Sequence, residues 1–96
     1  MTPATTVIFR IDLEGIVFAL FPELPADKQG FYCTCYQHIG QHCAADYHGC
    51  MFNSDPAKPD EFADLQRELE QRGYKLTIRN RATSKMHQRR HEEART

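Results

Sequence analysis

Phe62, Leu65 and Leu69 recur at helical spacing between Pro59-Asp60-Glu61 and Gly73, and this is the firmest helical pattern in the 96-residue chain. Proline in a first turn gives up an N–H that would have no intrahelical partner, and carboxylates there face the positive end of the helix dipole. Glu68 and Arg72 form an i,i+4 pair, and Gly73 suits the left-handed position that closes a helix. The apolar stripe is narrow, so this helix covers one face of a sheet and no more.

Most of the remaining pattern is strand-like. Val7, Phe9 and Ile11 alternate with Ile8, Arg10 and Asp12, which predicts a half-buried strand over Thr6 to Asp12. Ile16 to Phe21 is apolar on both faces and reads as a central strand, joined to the first by the short link Asp12-Leu13-Glu14-Gly15 and stopped by Pro22 and Pro25. Phe31–Gln37 predicts a third strand, Cys50-Met51-Phe52 a short fourth, and Tyr74, Leu76 and Ile78 a last one after the helix. His38 to Gly49 reads as a polar connection and 53–58 as a turn region.

The fold class that follows is α+β: a small two-layer sandwich in which an antiparallel sheet of four to five strands carries one helix on one face. Residues 1–82 form this single domain, and 83–96 a basic flexible or helical tail, frayed or disordered beyond about Thr83. Phe18, Phe21, Tyr32, Tyr36 and Met51 exceed what one helix hides, so the second sheet face is expected to be wet or partner-bound.

The net charge of −1 hides an asymmetry: residues 1–78 carry −5 and residues 79–96 carry +4. The opening residues show no basic stretch followed by an apolar core, and the longest apolar run, Ile16 to Phe21, is too short to span a bilayer. These features predict a cytoplasmic protein with no membrane partner, in which Cys33, Cys35, Cys43 and Cys50 are mostly reduced.

Those cysteines lie among His38, His42 and His48, so Cys33, Cys35, His38, His42, Cys43, His48 and Cys50 form a candidate zinc-ligand set. The spacing departs from standard zinc sites, and the preferred reading makes Cys33 and Cys35 small core residues on the helix-facing side, with no cofactor. A Cys43–Cys50 disulfide would need an oxidising setting. His38 and His42 have metalloprotease spacing, but Ile39 stands where the general base belongs. Cys43, His48 and Asp46 supply residue types for a thiol nucleophile without a known arrangement, so the expectation is no enzyme.

Several segments together carry a resemblance. They are Phe9-Arg10, Gly15-x-Val17-x-Ala19-Leu20-Phe21-Pro22, Tyr36-x-His38-x-Gly40-Gln41-His42, Ala45-Asp46-Tyr47, Glu61-Phe62-Ala63-x-Leu65-x-x-Glu68-Leu69 and Gly73-Tyr74. The chain resembles, over roughly residues 7–80, a group of small uncharacterised proteins of bacterial plasmids and prophages. That group's pattern holds the two histidines but not the cysteines, which counts against a cysteine-based zinc site. It also starts the helix with Thr-Pro where this chain has Lys58-Pro59, so the hydroxyl cap is missing. The resemblance implies a setting on mobile genetic elements, whose small acidic proteins often bind host defence machinery such as CRISPR effectors or restriction enzymes.

The leading expectation is therefore a non-catalytic binding protein, an anti-CRISPR or anti-restriction inhibitor in that setting, with a protein partner and a possible homodimer. Its candidate binding residues are Tyr36, His38, Gln41, His42, Asp46 and Tyr47. The alternatives are a zinc-stabilised Cys/His module and a nucleic-acid-binding module. In the latter Arg79, Arg81, Lys85, Arg89 and Arg90 contact phosphates and Tyr32 or Tyr36 stacks on bases.

Overall fold

The fold was obtained as a computed structural model that describes residues 4–37 and 41–95, with residues 41 and 42 as backbone only. The elements run β1 (Thr5–Asp12), β2 (Val17–Pro25), β3 (Cys33–Gln37), β4 (Gln41–Ala45), α1 (Tyr47–Phe52), β5 (Ser54–Pro56), α2 (Pro59–Gln71), β6 (Leu76–Arg79) and α3 (Ser84–Ala94).

The strands form one sheet in the order β4-β3-β2-β1-β5, with β6 also on β1. β1 and β2 are the expected hairpin: Ile8 faces Leu20 and Arg10 faces Phe18. The turn holds because Asp12 Oδ1 accepts the N–H groups of Glu14 and Ile16 at 2.9 Å, while Gly15 sits at φ +84°, where a side chain would be strained. The outer side of β1 is shared: β5 pairs antiparallel with residues 10–12, and β6 pairs in parallel with residues 5–8. The sheet is thus antiparallel except at β6.

Alternation along β1 and β2 divides the core into two. Val7, Phe9, Ala19, Phe21 and Tyr36 lie with Phe62, Leu65 and Leu69 of α2, and the Phe9 and Phe62 rings stack at 4.4 Å. Helix α2 begins as its sequence requires. Without a hydroxyl cap, the carboxylate of Glu61 reaches back to accept the Lys58 N–H at 2.8 Å. Gly73 takes φ +101° and ends the helix.

The second face is covered too. Ile8, Phe18, Leu20, Cys33, Cys35, Ala45 and Tyr47 form its core, packed by Cys50 and Met51 of α1 and by Ala82 just before α3. Cys33 and Cys35 are core residues as expected, but on this face rather than under α2. Phe18, Phe21 and Tyr36 are buried, so of the supposed aromatic surplus Tyr32 alone stays well exposed. Cys50-Met51-Phe52 is helix, not strand, and the connection after His38 contains β4. Strand β2 passes Pro22 and runs to Pro25 through a register shift, a device that accommodates a residue with no N–H to donate. The segment after Thr83 is a helix docked on β2, capped where Thr83 Oγ1 accepts the Met86 N–H at 3.3 Å.

Candidate functional site

Two buried arginines pin this second layer. Arg10, on the face of β1 shared with Ile8, donates from Nε to Ser54 Oγ at 2.9 Å and from Nη2 to the carbonyls of Met51 and Ser54. It ties the end of α1 and the start of β5 to the central strand. Arg90 of α3 is 5% exposed and donates to the Gly30 carbonyl at 2.7 Å and the Pro22 carbonyl at 2.9 Å. A guanidinium suits such places because its planar fork satisfies several main-chain acceptors from one fixed group. Gly30 lies so close to α3 that an added Cβ would stand 3.1 Å from His91 Cα and from Ala94 Cβ.

Beside Arg90 the structure brings together three rings. His48 of α1 and His87 of α3 have centroids 5.6 Å apart, and Tyr47 meets the His87 ring edge-on at 4.7 Å. Arg90 Nη1 lies 2.8 Å from His87 Nδ1. Arginine has only donors, so Nδ1 must be the unprotonated acceptor and the imidazole must be neutral. Burial, then the charges of Arg90, His48 and His91, lowers the His87 pKa from its ordinary value. Between that lowered value and about pH 6.5 the unfolded chain binds more protons than the folded one, so stability falls as pH drops through this window and levels off below it. Urea unfolding from neutral to mildly acidic pH checks this, with His87→Asn as the control. An amide oxygen there accepts from Arg90 but does not titrate, so the slope flattens.

A cleft of about 510 Å³ opens between β4 and α1, with Asp12, Phe18, Asp46, Asn53 and the cysteines Cys35, Cys43 and Cys50 among its walls. Cys35 and Cys43 face each other across β3 and β4, with Cα atoms 5.0 Å apart, and are joined as a disulfide. The sequence points to four mostly reduced cysteines or a Cys43–Cys50 pair, whereas the structure pairs Cys43 with Cys35. Cys33 and Cys50 are free. Burial pushes the Cys33 thiol up to about 11 against the opposing pull of Arg90, and burial followed by the Asp46 charge raises Cys50. Both are poor nucleophiles at neutral pH.

The predicted binding residues separate. Tyr36 is 0% exposed, with its hydroxyl bonded to Glu68 and Arg72 5.5 Å over its ring, so it is a core residue. Tyr47 is also buried, its hydroxyl accepting the Ala82 N–H at 2.7 Å. Asp46 is exposed at the start of α1. Gln41 and His42 lie on β4 opposite Gln37 and Tyr36, and His38 lies outside the described residues. Of the described members of the metal set, Cys35 and Cys43 are taken up by the disulfide, Cys33 is buried, and His48 stacks on His87. Among the described residues no three His, Cys, Asp or Glu groups are placed to hold an ion.

In the basic set Arg79, Arg81 and Lys85 are exposed and Arg89 stands 3.6 Å from Glu23. Arg90 is spent on carbonyls and Tyr36 is buried, so neither can touch a nucleic acid. No helix among the described residues is long and apolar enough to cross a membrane.

What sequence reasoning missed is the pair of most exposed apolar side chains, Phe52 at 89% and Leu13 at 87%. Asp12 pairs with Ser54, so Leu13 and Phe52 both lie at this end of the β1–β5 pair, beside the cleft walls Asp12 and Asn53. Searches against protein-family models, curated proteins and solved structures find no match to this chain.

Proposed function

We propose that the chain is a small non-catalytic binding protein of a mobile genetic element, and that it docks on a protein of the host defence machinery, a CRISPR effector or restriction enzyme. The observation that carries the docking reading is the solvent position of Leu13 and Phe52 at the rim of the β4–α1 cleft. Large apolar side chains held outside the core at a cleft edge are typical anchors of a protein interface. Around them Glu14, Asp46 and Asp55 are exposed acids, in keeping with the −5 carried by residues 1–78. The fitting partner surface is apolar with a cationic rim.

Two features support the non-catalytic part: both free thiols are raised by burial rather than activated, and the His87 ring, stacked with His48, is engaged by Tyr47 and Arg90. The mobile-element setting rests on the sequence resemblance. A cytoplasmic location belongs to the same proposal.

The test is capture of host proteins by the wild type and by Leu13→Ser/Phe52→Ser. Both side chains are solvent-exposed, so the double variant should melt within about 4 °C of the wild type. Its capture of a defence component should be lost. Equal capture by the two proteins would remove this face from the interface.

A further inference from the structure

The Cys35–Cys43 disulfide runs from the second core to the wall of an open cleft. Its two halves differ. Cys35 is 5% exposed, whereas Cys43 is half-buried and sits on β4, which among the described residues pairs with β3 alone. An incoming nucleophile therefore reaches the sulfur of Cys43 first. The other two thiols offer little competition, because Cys33 is fully buried and both are held in the protonated form.

We propose that Cys43 is a site of reversible S-thiolation, at which a low-molecular-weight thiol of the glutathione class exchanges into the Cys35–Cys43 disulfide. The thiolate attacks Sγ of Cys43, and the bond to Cys35 breaks. The electron pair leaves on Cys35 Sγ, which takes a proton from water, and Cys43 remains as the mixed disulfide. A second thiolate attacks the outer sulfur of that adduct, releasing Cys43 as a thiol and the small molecule as its own disulfide. The protein bond is reduced and two small thiols are oxidised, so electrons balance. Thiolation removes the covalent tie between β4 and β3, and β4 leads directly into α1 through Asp46. The inference does not depend on the docking proposal.

The experiment is alkylation and peptide mapping by mass spectrometry on the full chain. Protein purified in air and unfolded without reductant should take two alkyl groups, on Cys33 and Cys50, rising to four after reduction. Folded protein held in mixed reduced and oxidised glutathione should gain one glutathione, mapped to Cys43. Folded Cys35→Ser should take one glutathione at Cys43 from oxidised glutathione alone, while folded Cys43→Ser should stay unmodified at Cys35. Four alkyl groups without reduction, an adduct confined to Cys33 or Cys50, or two alkyl groups with no adduct at all would each overturn the proposal.

Discussion

Replacing Arg90 with methionine should lower the melting temperature by about 12 °C or more. The long apolar stem is retained, so the change isolates the guanidinium. Its loss strands the carbonyls of Gly30 and Pro22 against α3 and removes the donor to His87. A hydrogen bond from a charged donor contributes about 1.5–3 kcal/mol, so two lost together cost about 3 kcal/mol or more. At about 4–8 °C per kcal/mol for a domain of this size, the shift is large. Exchanging both partners of a buried polar pair for apolar groups can be neutral, but main-chain carbonyls cannot be exchanged. Arg90→Lys should recover only part of the loss, because an ammonium lacks the fork that spans both acceptors. A melting temperature unchanged in Arg90→Met would mean that water reaches these carbonyls and that the arginine clamps nothing.

The second large effect is expected at Phe9. It lies on β1, the strand that pairs with β2, β5 and β6, it is nearly fully buried, and its ring stacks on Phe62 of α2. Truncating a buried phenylalanine costs about 3–5 kcal/mol through lost transfer energy and the cavity left behind. A chain of this length has about 5–14 kcal/mol in all. Phe9→Ala should therefore lose a large share of the total in urea titration, with an unfolding midpoint far below that of the wild type. Phe9→Leu, which leaves a smaller void, should fall between them. A small loss in the alanine variant would show that α2 does not rest on the sheet at this point.

The legibility of the fold followed side-chain period. The β1–β2 hairpin and α2 could be read because each carries an unbroken pattern of its own: alternation across Val7 to Asp12, helical recurrence from Phe62 to Leu69, and Gly15 and Gly73 where the backbone turns left-handed. The layer formed by α1 and α3 had no such pattern. Helix α1 is six residues long with Gly49 inside it, and α3 buries a single charged residue, Arg90, among polar neighbours. A helix held by hydrogen bonds from one arginine to main-chain carbonyls leaves no hydrophobic period to detect. For the same reason Arg10 read as part of a polar strand face and Arg90 as a phosphate contact. The covered second face then reverses the reading of the aromatics: Phe18 packs in the core that α1 covers, whereas Leu13 and Phe52, read from the sequence as a hairpin link and a strand end, stand in solvent.

The candidate site was legible in residue type more than in arrangement. Asp46, Cys35, Cys43 and Cys50, each singled out from the sequence, line one cleft. The disulfide partner could not be found from spacing, because it depends on the register that sets Cys35 opposite Cys43. Tyr36 and Tyr47 looked like surface residues, yet each uses its hydroxyl inside the fold, on Glu68 and on the Ala82 N–H.

Native-state hydrogen exchange along α3 tests the three-layer arrangement most directly. With α3 clamped by Arg90, the amides of residues 88–94 should be protected well above an unstructured peptide in the wild type and should lose most of that protection in Arg90→Met, while β1 and β2 stay protected in both. Exchange of the wild-type α3 amides at the rate of a free peptide, beside a fully protected β1–β2 hairpin, would contradict it.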